Sequence, residues 1–406
     1  MRYSNSRILS VLNLLGRLLQ LLGFIMLTPI IMTLIYWGSF DEGVRTLVAF
    51  ILPAAASFFT GTFLRRRFSD GNLDTPGAML LCALSWIACS AFGGLPFVTA
   101  LDASYLDGLF EAVSGFTTTG ITVFDGLNEM PRSIIFWRAL TQWLGGLGIL
   151  SFFLFLSYSG VGAHRVLGAE SHKISSTRPT PGLYRTVRIL WGIYLLITVS
   201  AIIALTLEGM PFFDSICHTL TAISTGGFSP YDSSIAYYAT AGYENAHMFE
   251  YTLTFVMMLG GINFLVHFRV LTGHFTALWD GVEIRYWWYF VFGFVALIIL
   301  DRYMNAAEVS SFSDVFRTTI FQVLALLSTT GFGTLDIGSD AFPALSKQLF
   351  LIMMVIGGCV GSTGGGIKVL RIVILQRLMG REIFKARVSQ HASKGLVINK
   401  KLVPDD

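Results

Sequence analysis

The feature that most constrains this chain is a series of long apolar runs. A helix needs about 20 apolar residues to cross the roughly 30 Å of hydrocarbon in a bilayer. Eight runs approach or exceed this length, near residues 18–37, 46–64, 78–100, 133–157, 187–207, 249–272, 286–304 and 345–378. Only 13 % of the 406 residues are charged, about half the share found in soluble domains. We therefore predict an all-α polytopic membrane protein, and we exclude soluble enzymes and nucleic-acid-binding modules.

Three further apolar runs are too short to cross a membrane, and each ends in a cluster of threonine and glycine. They lie near residues 105–117, 212–224 and 316–328. Runs of this length are typical of re-entrant segments. Non-helical backbone at membrane depth is tolerated only where it lines water or is buried in protein. The three runs therefore indicate a pathway through the protein.

Basic residues alternate between the connections. They flank the N-terminal segment, the end of the second run at 65–67, the connection after the fourth run, and the C-terminal segment. Residues 209–249 contain neither lysine nor arginine. Because short cytoplasmic connections carry the excess of basic residues, we expect both termini of the chain on the cytoplasmic side. The Thr/Gly clusters then open from the outside.

The Thr/Gly clusters belong to an internal repeat of about 105 residues. Their aligned glycines are Gly120, Gly227 and Gly331, which are 107 and 104 residues apart. Each cluster is followed by a span with a paired glycine. The repeat predicts an N-terminal transmembrane hairpin in 1–70, a first repeat in 71–165 with pore loop 105–124, a second in 166–280 with pore loop 212–231, and a third in 281–406 with pore loop 316–335.

Clusters of this kind suit the coordination of a cation. An ion that leaves water needs oxygens to replace its hydration shell, and a ring of backbone carbonyls supplies them. Glycine adopts the required backbone angles at low cost, and threonine adds hydroxyl groups. The candidate filter residues are Thr118, Thr119, Gly120, Thr225, Gly226, Gly227, Thr329, Thr330 and Gly331. Three copies on one side of the membrane disfavour the alternative that they are plain turns between helices.

The last apolar run contains a glycine-rich segment that we expect to break its helix. The 34 residues of 345–378 would form a helix of roughly 51 Å, and each interior glycine weakens a helix by roughly 1 kcal/mol. The predicted loop spans 357–368 and contains Gly357, Gly358, Gly361, Ser362, Thr363, Gly364, Gly365, Gly366 and Lys368. A phosphate-binding loop is excluded, because Ile367 separates the last glycine from Lys368 and no Ser or Thr follows the lysine.

Together these motifs resemble the Trk/Ktr/HKT superfamily of potassium transporters. The resemblance rests on "SGFTTTGIT", "STGGFS", "LSTTGFG" and "IGGCVGSTGGGIKVLR". It covers nearly the whole chain and is closest to the membrane-embedded subunit of bacterial Trk systems. It implies four repeats around one pore, K⁺ as the transported ion at the filter residues, and gating by 357–368. Gly120 stands where sodium-preferring plant members have serine, which favours potassium.

The resemblance also implies partners. It predicts a homodimer surrounded by lipid in the bacterial cytoplasmic membrane, with a cytoplasmic nucleotide-binding regulatory subunit. The sequence shows no nucleotide site in this chain, no nucleic-acid-binding motif and no sign of a prosthetic group. A fourth filter glycine would fall about 105 residues after Gly331, whereas the sequence ends at Asp406. We therefore expect either a truncation, which we favour, or a second polypeptide that completes the pore.

Alternatives remain open at this stage. The sequence is also compatible with a sodium-permeable or poorly selective cation channel. A third hypothesis is a non-conducting subunit that pairs with an intact paralogue. Channel-like transport and symport with H⁺ or Na⁺ are not distinguished. A membrane enzyme is disfavoured, because no cluster has metal-ligand spacing and no nucleophile–base pair stands out.

Other polar residues are candidates for supporting the filter or for plain structural hydrogen bonds. Glu111, His218 and Gln322 lie on the short apolar runs, and Asn263 and His267 lie in the sixth long run. Acidic residues on the outer side would raise the cation concentration at the mouth. These are Asp102, Asp107, Asp125, Glu129 and Asp232.

Overall fold

The computed structural model describes residues 2–69, 71, 73–158, 183–305, 311–387, 396–398 and 401–403. Nearly all regular structure in these residues is helical. The helices are α1 Arg2–Ile25, α2 Pro29–Ile35, α3 Phe40–Arg67, α4 Thr75–Gly93, α5 Leu95–Leu101, α6 Tyr105–Phe116, α7 Arg132–Tyr158, α8 Leu183–Leu207, α9 Phe212–Ile223, α10 Ala236–Thr240, α11 Ala246–Gly261, α12 Phe264–Leu271, α13 Val282–Asn305, α14 Phe312–Leu327, α15 Ala344–Val355 and α16 Val369–Arg387. The exception is a small antiparallel hairpin of β1 Leu396–Ile398 and β2 Lys401–Val403.

Five stretches of helix in the described residues are long and apolar enough to cross a membrane. They are Arg7–Ile35, Asp41–Arg67, Pro76–Leu101, Arg185–Leu207 and Val282–Asn305, and a bent pair formed by α11 and α12 would make a sixth. The fourth apolar run of the sequence coincides with α7. The prediction of an all-helical membrane protein is confirmed by this architecture.

The sixth apolar run, 249–272, is predicted from the sequence as one continuous span, and this prediction is wrong. In the structure α11 and α12 meet at an angle of 105°. The backbone is extended at Ile262, and the Asn263 side chain accepts a 2.8 Å hydrogen bond from the amide of Leu265. The asparagine therefore caps a new helix instead of continuing the old one.

The eighth apolar run is divided between two helices. Helix α15 ends at Val355, α16 begins at Val369, and the glycine-rich segment lies between them. The ends of this segment are held together, because the amide of Gly357 donates to the Ile367 carbonyl at 3.0 Å.

Several of the basic residues that predict the membrane orientation lie outside the described residues. They are Arg165, Lys173, Arg178, Lys394 and Lys400.

The buried apolar residues form three main clusters along the chain. The first surrounds Trp137 and joins α1 and α3 to α5, α6 and α7. The second surrounds Tyr194, and the third surrounds Trp287. All three aromatic side chains are fully buried. The short helices α6, α9 and α14 each contribute buried residues to these clusters, so the loops that follow them rest on packed helices rather than on mobile segments.

Candidate functional site

The three short helices end in loops that share one backbone conformation. We call them loop 1 (residues 117–122), loop 2 (224–229) and loop 3 (328–333). Each has two left-handed residues separated by one other residue: Thr118 and Gly120 with φ 54° and 80°, Thr225 and Gly227 with φ 54° and 82°, and Thr329 and Gly331 with φ 62° and 82°. A left-handed conformation costs an L-residue about 1–2 kcal/mol. Its recurrence at three equivalent threonines marks a strained, shared feature of the kind found at functional sites.

The amide groups of the loops point back toward their own helices. Thr119 donates to the Ser114 carbonyl at 2.8 Å, Gly226 donates to Thr221 at 2.8 Å, and Thr330 donates to Ala325 at 2.9 Å. These bonds satisfy helix-end carbonyls that would otherwise lack a partner. These three amides of the loops are therefore occupied by their own helices.

Neighbouring loops contact one another through glycine. A Cβ atom at Gly120 would lie 2.0 Å from the Gly226 carbonyl oxygen, and one at Gly227 would lie 1.8 Å from the Thr330 carbonyl oxygen. No side chain fits at either position. Loop 1 therefore abuts loop 2, and loop 2 abuts loop 3.

The third side of the arrangement is open among the described residues. A cleft of about 310 Å³ separates loop 1 from loop 3, with Thr119 and Gly120 on one side and Thr329 and Gly331 on the other. No described atom lies within 4 Å of a Cβ built at Gly331. Five threonines and glycines of the outer loops, 1 and 3, thus line a space instead of contacting a further loop: Thr119, Gly120, Thr329, Thr330 and Gly331.

The polar residues at equivalent positions on the short helices have different partners. Glu111 accepts from the Thr122 hydroxyl at 3.0 Å and from the Val123 amide at 3.3 Å, so it holds the exit of loop 1. Gln322 donates to the Leu335 carbonyl at 2.8 Å, just beyond loop 3. Neither ring nitrogen of the fully buried His218 has a hydrogen-bond partner among the described residues. Two of the three therefore support loop exits, and His218 does not.

The glycine-rich segment lies against loop 3 and the end of helix α9. The amide of Gly365 donates to the Thr329 hydroxyl at 2.7 Å, and the Thr363 hydroxyl donates to the carbonyl of Ile223, the last residue of α9, at 2.9 Å. The Lys368 ammonium donates to the Gly364 carbonyl and closes the end of the segment. Residues 357–364 are buried, whereas 365–367 are exposed.

The same segment packs against the bend between α11 and α12. The backbone amide of Cys359 donates to the Gly261 carbonyl at 2.9 Å, and that of Thr363 donates to the Gly260 carbonyl at 3.2 Å. In the other direction, the amide of Phe264 donates to the Gly361 carbonyl at 3.1 Å. Each break leaves backbone groups without helical partners, and such groups are costly in a bilayer unless protein satisfies them. The two breaks therefore provide hydrogen-bond partners for each other's backbone groups.

The remaining polar candidates have structural roles. His267 bonds to the Leu259 carbonyl at 2.8 Å, beside the bend. Among the five acids expected on the outer side, Asp102 pairs with Arg45, Asp107 accepts from Ser104, and Asp232 accepts from the Leu127 amide. Asp125 and Glu129 are exposed. Three of the five acids are therefore engaged in local ion pairs or hydrogen bonds.

Two residues of helix α7 contact the loops but are not among the residues predicted from the sequence. Arg138 and Gln142 are 1 % and 0 % exposed, and their hydrogen bonds reach loop 2. The available signal was an arginine within an apolar run, since an ionisable residue at membrane depth is a functional candidate by default.

The chain is similar to known transport proteins over most of its length. A family model described as a cation transport protein, TrkH, matches residues 47–405. The Trk system potassium uptake protein TrkH of Vibrio parahaemolyticus is 32 % identical over 387 residues, which is 92 % of this chain and 76 % of that protein. The protein of the same name from Escherichia coli K12 is 30 % identical over 98 % of this chain and 80 % of its own length. The crystal structure of the potassium transporter TrkH from V. parahaemolyticus superimposes with a TM-score of 0.84 at 29 % identity, covering 96 % of this chain and 79 % of that one.

Proposed function

The chain belongs to the TrkH family of cation transport proteins, and on that premise we propose that it takes up potassium. It is a multi-pass membrane protein of a transport family and not an enzyme. In this proposal the three Thr/Gly loops form the selectivity filter, and the segment 357–368 gates the pore. The named relatives support potassium as the substrate, since two of them are potassium uptake proteins.

One observation carries the filter proposal: three loops with the same strained backbone touch one another in order. Their amides are bound to the helices behind them, and glycines let their backbones approach closely. This leaves carbonyl and hydroxyl oxygens to replace the hydration shell of a cation. The potassium ligands proposed here are Thr118, Thr119, Gly120, Thr225, Gly227, Thr329, Thr330 and Gly331.

The gate proposal is supported by the position of 357–368. The segment contacts loop 3 through Thr329 and the base of loop 2 through Ile223. A displacement of this segment would remove both contacts. We propose that such a displacement blocks or releases an ion that has passed the loops.

Growth and flux measurements test potassium uptake. The gene that encodes this chain, read to its own stop codon, should restore growth at low potassium in a bacterium that lacks potassium uptake. Rubidium should enter the same cells. Absence of both growth and rubidium flux, with the protein present in the membrane, would overturn the proposal.

Replacement of Gly120 by serine separates potassium from sodium as substrate. The hydroxymethyl group would meet the Gly226 carbonyl, because even a Cβ there lies 2.0 Å from that oxygen. If the filter is potassium-selective, Gly120→Ser should lower the K⁺/Na⁺ permeability ratio by about tenfold or more, as expected when one coordinating ring is disturbed. A ratio that barely changes would favour a sodium-permeable or poorly selective channel.

A second candidate function is a subunit that conducts only when another segment completes the filter. The cleft between loops 1 and 3 favours this candidate, since it leaves one side of the filter open among the described residues. Co-purification of the chain with a second membrane polypeptide, together with flux only when both are present, would support it. Flux from the single gene product would contradict it.

We also propose the assembly that membership of a Trk system suggests. The chain would lie in the bacterial cytoplasmic membrane, surrounded by lipid, as a homodimer with a cytoplasmic nucleotide-binding regulatory subunit. K⁺ is the only ion or cofactor that this proposal requires. Light scattering of the detergent-purified protein measures the dimer, and a mass of one chain per particle would contradict it.

A further inference from the structure

The boundary between loop 1 and loop 2 is crossed by two buried side chains of helix α7. Gln142 donates from Nε2 to the Gly226 carbonyl at 2.8 Å and accepts at Oε1 from the Phe228 amide at 3.0 Å. One amide group therefore holds the backbone on both sides of Gly227. A carbonyl oxygen has two lone pairs, so the Gly226 oxygen can still accept a second contact.

Arg138 lies one helical turn before Gln142 and holds the exit of loop 2. Its Nη1 donates to the Ser229 carbonyl at 2.9 Å, and its guanidinium lies 4.2 Å from the centre of the Phe228 ring. Its Nε donates to Glu111 at 2.7 Å. The guanidinium thus connects loop 2 to a carboxylate on helix α6.

Glu111 completes a continuous connection between the two loops. It is fully buried and accepts from Thr122 and Val123, the residues at the exit of loop 1. A buried ion pair is destabilising unless its other hydrogen bonds are satisfied, and here both partners use theirs on the loop exits. The pair therefore fixes the exit of loop 1 relative to the exit of loop 2.

We infer that Gln142 and the Glu111–Arg138 pair are positioning residues that set the preference of the filter for K⁺ over Na⁺. The inference rests on the proposed function. Selectivity depends on the number and spacing of the coordinating oxygens. Without the bonds from Gln142 to loop 2, the neighbouring Gly227 carbonyl could move toward a smaller ion. The boundary between loops 2 and 3 is held differently, by the segment 357–368 through Thr363 and Gly365.

The test compares K⁺ and Na⁺ permeability of purified protein in liposomes. Gln142→Met keeps the length of the side chain and removes both hydrogen bonds, so the K⁺/Na⁺ ratio should fall about fivefold. Arg138→Lys keeps the charge beside Glu111 but lacks the fork that also reaches Ser229, and it should lower the ratio in the same direction. Total cation flux should persist in both variants, which distinguishes a positioning role from a loss of folding.

Gln20→Met is the matched control. Gln20 is a partly buried glutamine of helix α1 that donates to the Thr62 hydroxyl at 2.9 Å, far in sequence from every loop. The same change of side chain there should leave the permeability ratio unchanged. An equal fall in Gln20→Met and Gln142→Met would overturn the inference, because it would show a general effect on packing.

Thermal stabilisation by KCl relative to NaCl, measured in detergent, provides a readout independent of flux. The difference between the two salts should be present in the wild type and reduced in Gln142→Met. If Gln142→Met does not accumulate in the membrane, Gln142→Glu takes its place. This variant keeps the acceptor for the Phe228 amide and loses the donor to the Gly226 carbonyl. A wild type without any preference for K⁺ in either assay contradicts the proposed function. A selective wild type with equally selective variants contradicts only the positioning role.

Discussion

At the scale of single residues, strain and close contact coincide in the loops. Threonines 118, 225 and 329 adopt left-handed backbone angles although they are β-branched, and such angles persist only where surrounding structure enforces them. Glycines 120 and 227 occupy positions where a neighbouring carbonyl excludes any side chain. The sequence repeat predicts the glycines from their backbone freedom, but it contains no local sign of the threonine conformation.

A comparison of Gly227 and Gly331 tests how far transport depends on the close contact between neighbouring loops. Gly227 and Gly331 have the same φ of 82°, but only Gly227 has a described atom within 4 Å of its Cβ position, the Thr330 oxygen at 1.8 Å. Gly227→Ala should abolish rubidium uptake, because the new methyl group collides with the Thr330 oxygen. Gly331→Ala should destabilise its loop only by the backbone strain of about 1–2 kcal/mol, so part of the rubidium uptake should remain.

Uptake is normalised to the amount of each variant in the membrane. Wild-type uptake by Gly227→Ala would show that the contact between loops 2 and 3 is not needed for transport. Equal loss in both variants would show that another segment occupies the cleft beside loop 3.

At the scale of elements, two broken spans form one unit. The glycine-rich run of the eighth span predicts its break, because consecutive glycines weaken a helix. The bend in the sixth span was not predicted, since Gly260 and Gly261 alone are compatible with a continuous helix. The bend depends on Asn263 as a cap and on the hydrogen bonds with Cys359, Gly361 and Thr363. These partners lie about 100 residues away in the sequence, so no local pattern reveals them.

Thr363 provides a test of the segment 357–368 as a gate. Its hydroxyl bonds to the carbonyls of Ile223 and Gly260 at 2.9 and 3.0 Å. Thr363→Val keeps the shape and removes the hydroxyl, at a cost of about 1 kcal/mol to the present position of the segment. The open fraction in single-channel recordings should rise about fivefold. Thr363→Ser retains the hydroxyl and should behave as the wild type; an identical open fraction in all three proteins would argue against the gate.

At the scale of the whole molecule, the distribution of charge predicts the orientation in the membrane. The exposed Arg65, Arg66 and Arg67 end helix α3, whereas residues 209–249 contain neither lysine nor arginine. The positive-inside rule places the first group in the cytoplasm and the second outside. On this basis we expect the loops to face the outer solution and the segment 357–368 to lie on their cytoplasmic side.

Cysteine labelling checks this orientation. In a background with Cys82, Cys89, Cys217 and Cys359 replaced, a cysteine at the exposed Glu244 should react with a membrane-impermeant maleimide in intact cells. A cysteine at Arg66 should react only after permeabilisation, and the cysteine-free parent should not react at all. The reverse pattern would invert the proposed direction of the pore.

The features that depend on local composition and spacing could be predicted from the sequence alone. Apolar runs predict the membrane helices, the 105-residue repeat predicts three equivalent loops, and the glycines of 357–366 predict a broken helix. Only the tertiary structure decided which groups meet: Gln142 with loop 2, Arg138 with Glu111, and the bend at Asn263 with Gly361. Hydrophobicity and helix propensity act on neighbours in the chain and can be read locally. A buried hydrogen bond depends on a partner that packing brings from a distant repeat, and that partner leaves no periodic signal.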